Sequence, residues 1–141
     1  MARHRVLLIR EWDTQSGGSG CCGRITSSGL ELLHESCDDP FERNRVDMDR
    51  MGAVYRALRE RFSEDEVELI VVDPRNTVWL LPAVWRDARR RGLPAREALR
   101  NLNAATTACA VVCDGKVLTT DATPQEAVEA VETDLGAQPA R

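Results

Sequence analysis

The chain has 141 residues, of which 43% are hydrophobic and 30% charged, and its formal net charge is -4 at pH 7. These values are typical of one soluble globular domain. Only 4% of the residues are aromatic, and the acidic balance leaves little with which to stack bases or neutralise phosphates. The apolar runs are shorter than the roughly 20 residues of a membrane helix, and the first of them is too short for a secretory signal. We therefore expect a cytoplasmic protein without nucleic-acid or membrane partners.

The first predicted element is a strand, followed by a long loop. A continuous apolar run over residues 6–9 predicts a strand buried on both faces. Periodicity then disappears over residues 13–47, where a stretch rich in glycine and serine leads directly into Cys21 and Cys22. Glycine frees the backbone around the two thiols, and long irregular segments in compact domains are commonly functional. We expect a functional thiol loop here.

The middle of the chain alternates helical and strand patterns. Apolar residues at spacings of three and four indicate amphipathic helices, whereas β-branched runs that end at turn residues indicate strands. The predicted elements are a helix over 47–62 with Asp47 as N-cap, a strand over 67–72, a helix over 77–91 that ends at Gly92, a helix over 94–103 and a strand over 108–112. Pro82 either kinks the helix over 77–91 or marks its true start.

The last third of the chain contains two strong local signals. Asp114-Gly115 predicts a hairpin turn, after which residues 116–119 form the returning strand. Thr123 and Glu126 stand in the spacing of a capping box, with proline between them at the first helical position. A terminal amphipathic helix therefore follows the hairpin.

The cysteines are the main functional signal. Their number is odd, and in a reducing compartment loop cysteines indicate metal, cluster or redox chemistry, whereas isolated buried ones behave as small hydrophobic residues. Adjacent thiols suit the capture of one soft metal ion, because a disulfide between neighbours is strained. Cys109 and Cys113 would share one face of a strand and pack in the core, unless the segment bends out of strand geometry. The five cysteines are Cys21, Cys22, Cys37, Cys109 and Cys113.

The order of elements resembles the thioredoxin-like fold: strand, thiol loop, helix, strand, helices, hairpin, helix. The resemblance implies one α/β domain over residues 1–141 with a mixed sheet of about four strands flanked by helices. Within this domain the sequence pattern predicts the irregular loop over 13–47 and a frayed tail over 136–141. Two long crossovers imply parallel pairing, and the Asp114-Gly115 turn implies one antiparallel pair. Dithiol reductase activity is not expected, because the thiol pair is not a C-x-x-C motif.

Two branches of that fold are similar at the level of residues. Arsenic metallochaperones of the ArsD type carry a vicinal pair similar to Cys21-Cys22 and an aspartate-glycine hairpin turn; this likeness implies capture of a metalloid by three thiolates, with Cys37 as the third. Thioredoxin-like [2Fe-2S] ferredoxins carry two loop cysteines and a C-x-x-x-C. That likeness implies a cluster on Cys22, Cys37, Cys109 and Cys113.

Two further features bear on partners. Trp79 and Trp85 are expected to pack against the sheet. Arginines concentrated over residues 86–100 indicate either a solvated helix face or a docking patch for an acidic partner. The concentration consists of Arg86, Arg89, Arg90, Arg91, Arg96 and Arg100.

Three functions follow as hypotheses. The first is a thiol protein that binds or transfers a soft metal or metalloid, or a redox equivalent, through Cys21 and Cys22, with Cys37 as a further metal ligand. The second is a [2Fe-2S] electron carrier. The third is a redox-inert interaction module that uses the region from Trp79 to Arg100. A protein partner is expected in each case, and a homodimer is compatible with all three.

Overall fold

The structure is a computed structural model and describes residues 4–11 and 42–138. Within these residues the chain forms four strands and four helices. They are β1 (His4–Ile9), α1 (Glu42–Arg61), β2 (Val67–Val72), α2 (Thr77–Arg91), α3 (Ala95–Ala104), β3 (Ala110–Cys113), β4 (Lys116–Thr120) and α4 (Pro124–Ala137). An α/β architecture with a four-stranded mixed sheet flanked by helices was predicted and is confirmed.

The sheet has the order β2-β1-β3-β4. β1 and β2 are parallel, in register from His4 opposite Val67 to Ile9 opposite Val72, while β3 runs antiparallel to both β1 and β4. The sequence predicted a single antiparallel pair, which is wrong. Because a pair of helices connects β2 to β3, the chain returns to the sheet at the edge where β2 ends, and β3 therefore runs in the direction opposite to β2.

Each face of the sheet carries its own hydrophobic core. Side chains alternate along a strand, so Leu8 and Leu7 of β1 point to opposite faces. Leu8 packs in a core whose members include Val54, Leu58, Val111 and Val131, which α1, β3 and α4 contribute. Leu7 packs in a second core whose members include Ile9, Leu80, Val84 and Val112, in which α2 supplies the helical side. The prediction that β1 is buried on both faces is confirmed.

The start of α1 differs from its prediction. The helix begins at Glu42, so Asp47 lies inside it and is not its N-cap. The first turns carry no apolar stripe, since Val46 is exposed, and hydrophobic periodicity detects only the part of a helix that packs. Residues 42–47, predicted as the end of the irregular loop, are therefore helical.

The local signals later in the chain are confirmed. Gly92 caps α2 in the left-handed conformation with φ 90°. The Thr123 hydroxyl accepts a hydrogen bond from the Glu126 backbone N–H at 3.3 Å, and the Glu126 carboxylate accepts one from the Thr123 N–H at 2.8 Å. Among the described residues, none of the helices is both long and apolar enough to cross a membrane.

Candidate functional site

The candidate site lies at the edge of the sheet where β1 ends. Ile9 closes β1 there, and its carbonyl oxygen accepts a hydrogen bond from the Cys109 backbone N–H at 2.8 Å. β2 ends and β3 begins at the same edge. The predicted site residues Cys21, Cys22 and Cys37 follow β1 in the sequence and lie outside the described residues.

Cys109 has an unusual backbone conformation. It precedes β3 with φ 62°, in the left-handed region that residues with a Cβ rarely adopt. The sequence placed it within a strand, which is wrong, because β3 begins at Ala110. Hydrogen bonds hold the backbone on both sides: the Cys109 N–H donates to Ile9, and its carbonyl oxygen accepts from the Asp121 N–H at 3.2 Å. Such strain persists where surrounding structure fixes it, and it is common at functional sites.

The Cys109 thiol is buried beside α1. Burial raises its pKa to about 11, helped by the charge and hydrogen bond of Asp47 and opposed by Arg50. Arg50 also forms an ion pair with Asp121, the residue that bonds to the Cys109 carbonyl. At neutral pH the thiol is therefore protonated and a weak nucleophile. A soft metal ion would have to displace this proton in order to bind the sulfur.

Cys113 lies at the other end of β3 and belongs to the core. It is fully buried and shares the core of Leu8 with Cys109, so the prediction that both cysteines pack on one face is confirmed. Burial, together with Asp114 and Asp134, raises its pKa. β3 lies between the two cysteines: Cys109 precedes the strand beside Ile9, and Cys113 ends it opposite Val6. One cluster needs ligands within a few ångströms of each other, so this spacing gives no support to joint ligation by Cys109 and Cys113.

The opposite edge of the sheet contains a buried polar network that was not predicted from the sequence. His4 Nδ1 lies 2.7 Å from Asp114 Oδ2, and the Arg5 backbone N–H donates to Asp114 Oδ1 at 2.9 Å. Arg91 binds Asp134 through two hydrogen bonds of 2.6 Å. The partners in each pair lie far apart in the sequence, so no local motif predicts the pairs. The acids are paired and hold elements together, which is a structural role.

The tryptophans of α2 do not pack fully against the sheet. Trp79 is 41% exposed and Trp85 38% exposed, so the prediction for them is wrong. The sheet side of α2 is occupied by smaller side chains at a spacing of four, Leu80, Val84 and Ala88. The tryptophans at 79 and 85 fall beside this stripe and are left partly in solvent.

The described residues do not form a metal site by themselves. Within residues 4–11 and 42–138, no three His, Cys, Asp or Glu side chains are grouped so that they could hold a metal ion. A site with three protein ligands would need at least one from elsewhere in the chain. Comparison of the chain with models of known families, with curated proteins and with solved structures finds no match.

Proposed function

We propose that the chain is a cytoplasmic, thioredoxin-like thiol protein that binds or transfers a soft metal or metalloid ion, or a redox equivalent, through Cys21 and Cys22. The observation that carries the proposal is the strained, buried Cys109 beside the end of β1. β1 ends at this edge of the sheet, and the thiol pair follows β1 in the sequence.

The arrangement of the strands supports the thioredoxin-like part of the proposal. A parallel pair, β1 and β2, is connected through α1, and the β3–β4 hairpin is followed by α4. This is the order on which the resemblance was based. Fold alone does not specify function, so the proposal depends on the thiols themselves.

Metal or metalloid binding suits the thiols better than disulfide chemistry. Soft ions prefer thiolate ligands, and a disulfide between Cys21 and Cys22 would be strained. The third thiolate would come from Cys37 or from Cys109. Because the pKa of Cys109 is about 11, that thiol resists oxidants at neutral pH but can release its proton to a metal ion.

Elemental analysis of protein purified without oxygen tests the proposal first. We expect bound zinc, copper or arsenic, or uptake of one of them when it is supplied, without iron and sulfide. About two irons and two sulfides per chain would instead establish the [2Fe-2S] alternative. Protein that neither contains nor takes up any of these ions would contradict the metal proposal.

Cysteine variants then identify the ligands. Cys21→Ser and Cys22→Ser should each weaken arsenite or zinc binding by at least about tenfold, or 1.4 kcal/mol. Cys113→Ser is the matched control, since Cys113 lies in the core at the other end of β3; it should lower stability and leave the metal stoichiometry unchanged. A comparison of Cys37→Ser with Cys109→Ser decides which of the two supplies the third thiolate. Unchanged affinity in both variants of the pair would overturn the proposal.

A further inference from the structure

The outer side of α2 and α3 exposes large apolar side chains. Val78 is 88% exposed and Leu99 62% exposed, and the two partly exposed tryptophans lie on the same helical layer. Single exposed apolar residues are common, whereas several large ones grouped on one layer mark an interaction surface. The outer face of α2 and α3 is defined here by Val78, Trp79, Pro82, Trp85 and Leu99 with Arg86, Arg89, Arg90, Arg96 and Arg100.

Four residues of this outer face lie on one side of α2 because of their helical spacing. Val78, Pro82, Trp85 and Arg89 follow each other at intervals of four, three and four, so they form a row along the helix. The row lies opposite the buried stripe that begins at Leu80. On this outer side the N-terminal half of α2 is apolar and aromatic, and its C-terminal half is cationic.

The charge of this layer is opposite to that of the whole chain. Residues 77–104 contain six arginines but only two acidic residues, Asp87 and Glu97, while the chain carries a net charge of -4. Asp87 is buried and receives a hydrogen bond from Arg5 at 3.2 Å. The guanidinium of Arg89 donates to the Leu93 carbonyl at 2.8 Å, which leaves its charge unneutralised by this contact.

We propose that the outer face of α2 and α3 docks an acidic segment of another protein. Apolar side chains of that segment would cover Trp79, Trp85 and Leu99, and its carboxylates would pair with the arginines. Tryptophan and arginine are enriched at the energetic centres of protein interfaces, and arginine pairs with carboxylates through two parallel hydrogen bonds. The inference does not depend on the thiol proposal.

Charge also argues against the two other occupants. A second copy docked through the same face would bring two sets of arginines together, because a two-fold interface places one patch against itself. An anionic membrane would attract the arginines but repel the rest of this acidic protein. An acidic segment with apolar side chains matches both halves of the face.

Selection from a library of displayed random peptides, each about 16 residues long, tests the proposal on the full chain. We expect the enriched peptides to combine net negative charge with Leu, Phe or Trp. A synthetic peptide from this set should bind the Arg89→Glu variant at least about tenfold more weakly than the unchanged protein. Arg56→Glu is the matched control, because Arg56 is exposed on α1, and it should leave the affinity unchanged.

Several outcomes would overturn the proposal. One is the absence of acidic enrichment, and another is peptide binding that Arg89→Glu does not weaken while its circular dichroism spectrum stays native. Dimerisation of the chain that Arg89→Glu abolishes would assign the face to a second copy. Binding to vesicles of phosphatidylcholine and phosphatidylglycerol that is lost in Arg89→Glu would assign it to a membrane.

Discussion

Among residues 4–11 and 42–138, three residues with side chains adopt positive φ, and two of them are aspartates. Asp114 at φ 45° and Asp121 at φ 69° are of the type that tolerates this conformation. Asp114 is further fixed by its hydrogen bond from the Arg5 N–H. Cys109, at φ 62°, has no such intrinsic tolerance. Its conformation is imposed by Ile9 and Asp121, and this is why it marks the candidate site.

Of the described glycines, Gly115 has the least space for an added methyl group. Its φ is 76°, and a Cβ there would lie 2.2 Å from the Ala88 backbone nitrogen and 2.5 Å from the Val84 carbonyl oxygen. We expect Gly115→Ala to lower the free energy of unfolding by about 2 to 4 kcal/mol, from left-handed strain plus overpacking. Urea denaturation measures this change.

Gly136→Ala is the control for that substitution. Gly136 lies in α4, where an added Cβ meets nothing within 4 Å. Alanine should therefore stabilise the helix, by up to about 1 kcal/mol. Equal effects of the two substitutions would show that the close approach of the hairpin to α2 is not present in solution.

At the scale of elements, the sequence predicted what local signals encode. The hairpin turn, the α2 cap and the capping box of α4 each depend on residues within a few positions of one another, and all three are present. The start of α1 escaped prediction because its first turns have no buried stripe. The conformation of Cys109 was not predicted, because the residues that impose it, Ile9 and Asp121, are distant from it in the sequence. Cys21, Cys22 and Cys37 stay predictions.

A buried ion pair links the last turn of α2 to α4. Asp134 is 5% exposed and accepts two hydrogen bonds of 2.6 Å from Arg91, with Lys116 at 3.3 Å. We expect Asp134→Ala to cost about 3 to 5 kcal/mol at pH 7, because it leaves the Arg91 charge largely buried and unpaired. Adding Arg91→Met should recover part of this loss in urea denaturation. A double variant as unstable as the sum of the singles would contradict the pairing.

The same pair should make stability depend on pH. Burial raises the pKa of Asp134, but the hydrogen bonds and charge of Arg91 outweigh it, so the pKa lies below its usual 3.8. A carboxyl whose pKa is depressed by folding contributes stability above its unfolded pKa and loses it as the pH falls through the folded pKa. The stability difference between the unchanged protein and Asp134→Asn should therefore shrink below about pH 4. A difference that stays constant down to pH 2 would contradict this assignment.

At the scale of the whole molecule, β1 and β3 belong to both cores. Leu8 and Val111 face the core with α1 and α4, whereas Leu7 and Val112 face the core with α2. Because β1 and β3 contribute side chains to both cores, unfolding of the helices on one face of the sheet should also destabilise the core on the other face. The described residues should therefore unfold as one cooperative unit.

Leu8→Ala tests this coupling, because Leu8 lies in the core on the face of the sheet opposite to α2 and its tryptophans. Removing a fully buried leucine should cost about 2 to 5 kcal/mol. Both proteins carry Trp12→Phe, so that the fluorescence comes from Trp79 and Trp85 of α2 alone. If the layers are coupled through β1, the midpoint of the tryptophan fluorescence transition falls by the same amount as the midpoint followed by far-ultraviolet circular dichroism. Leu99→Ala, at a 62% exposed position on α3, should change stability by no more than about 0.5 kcal/mol. Separate transitions for the two probes would mean that the layers on the two faces of the sheet unfold independently.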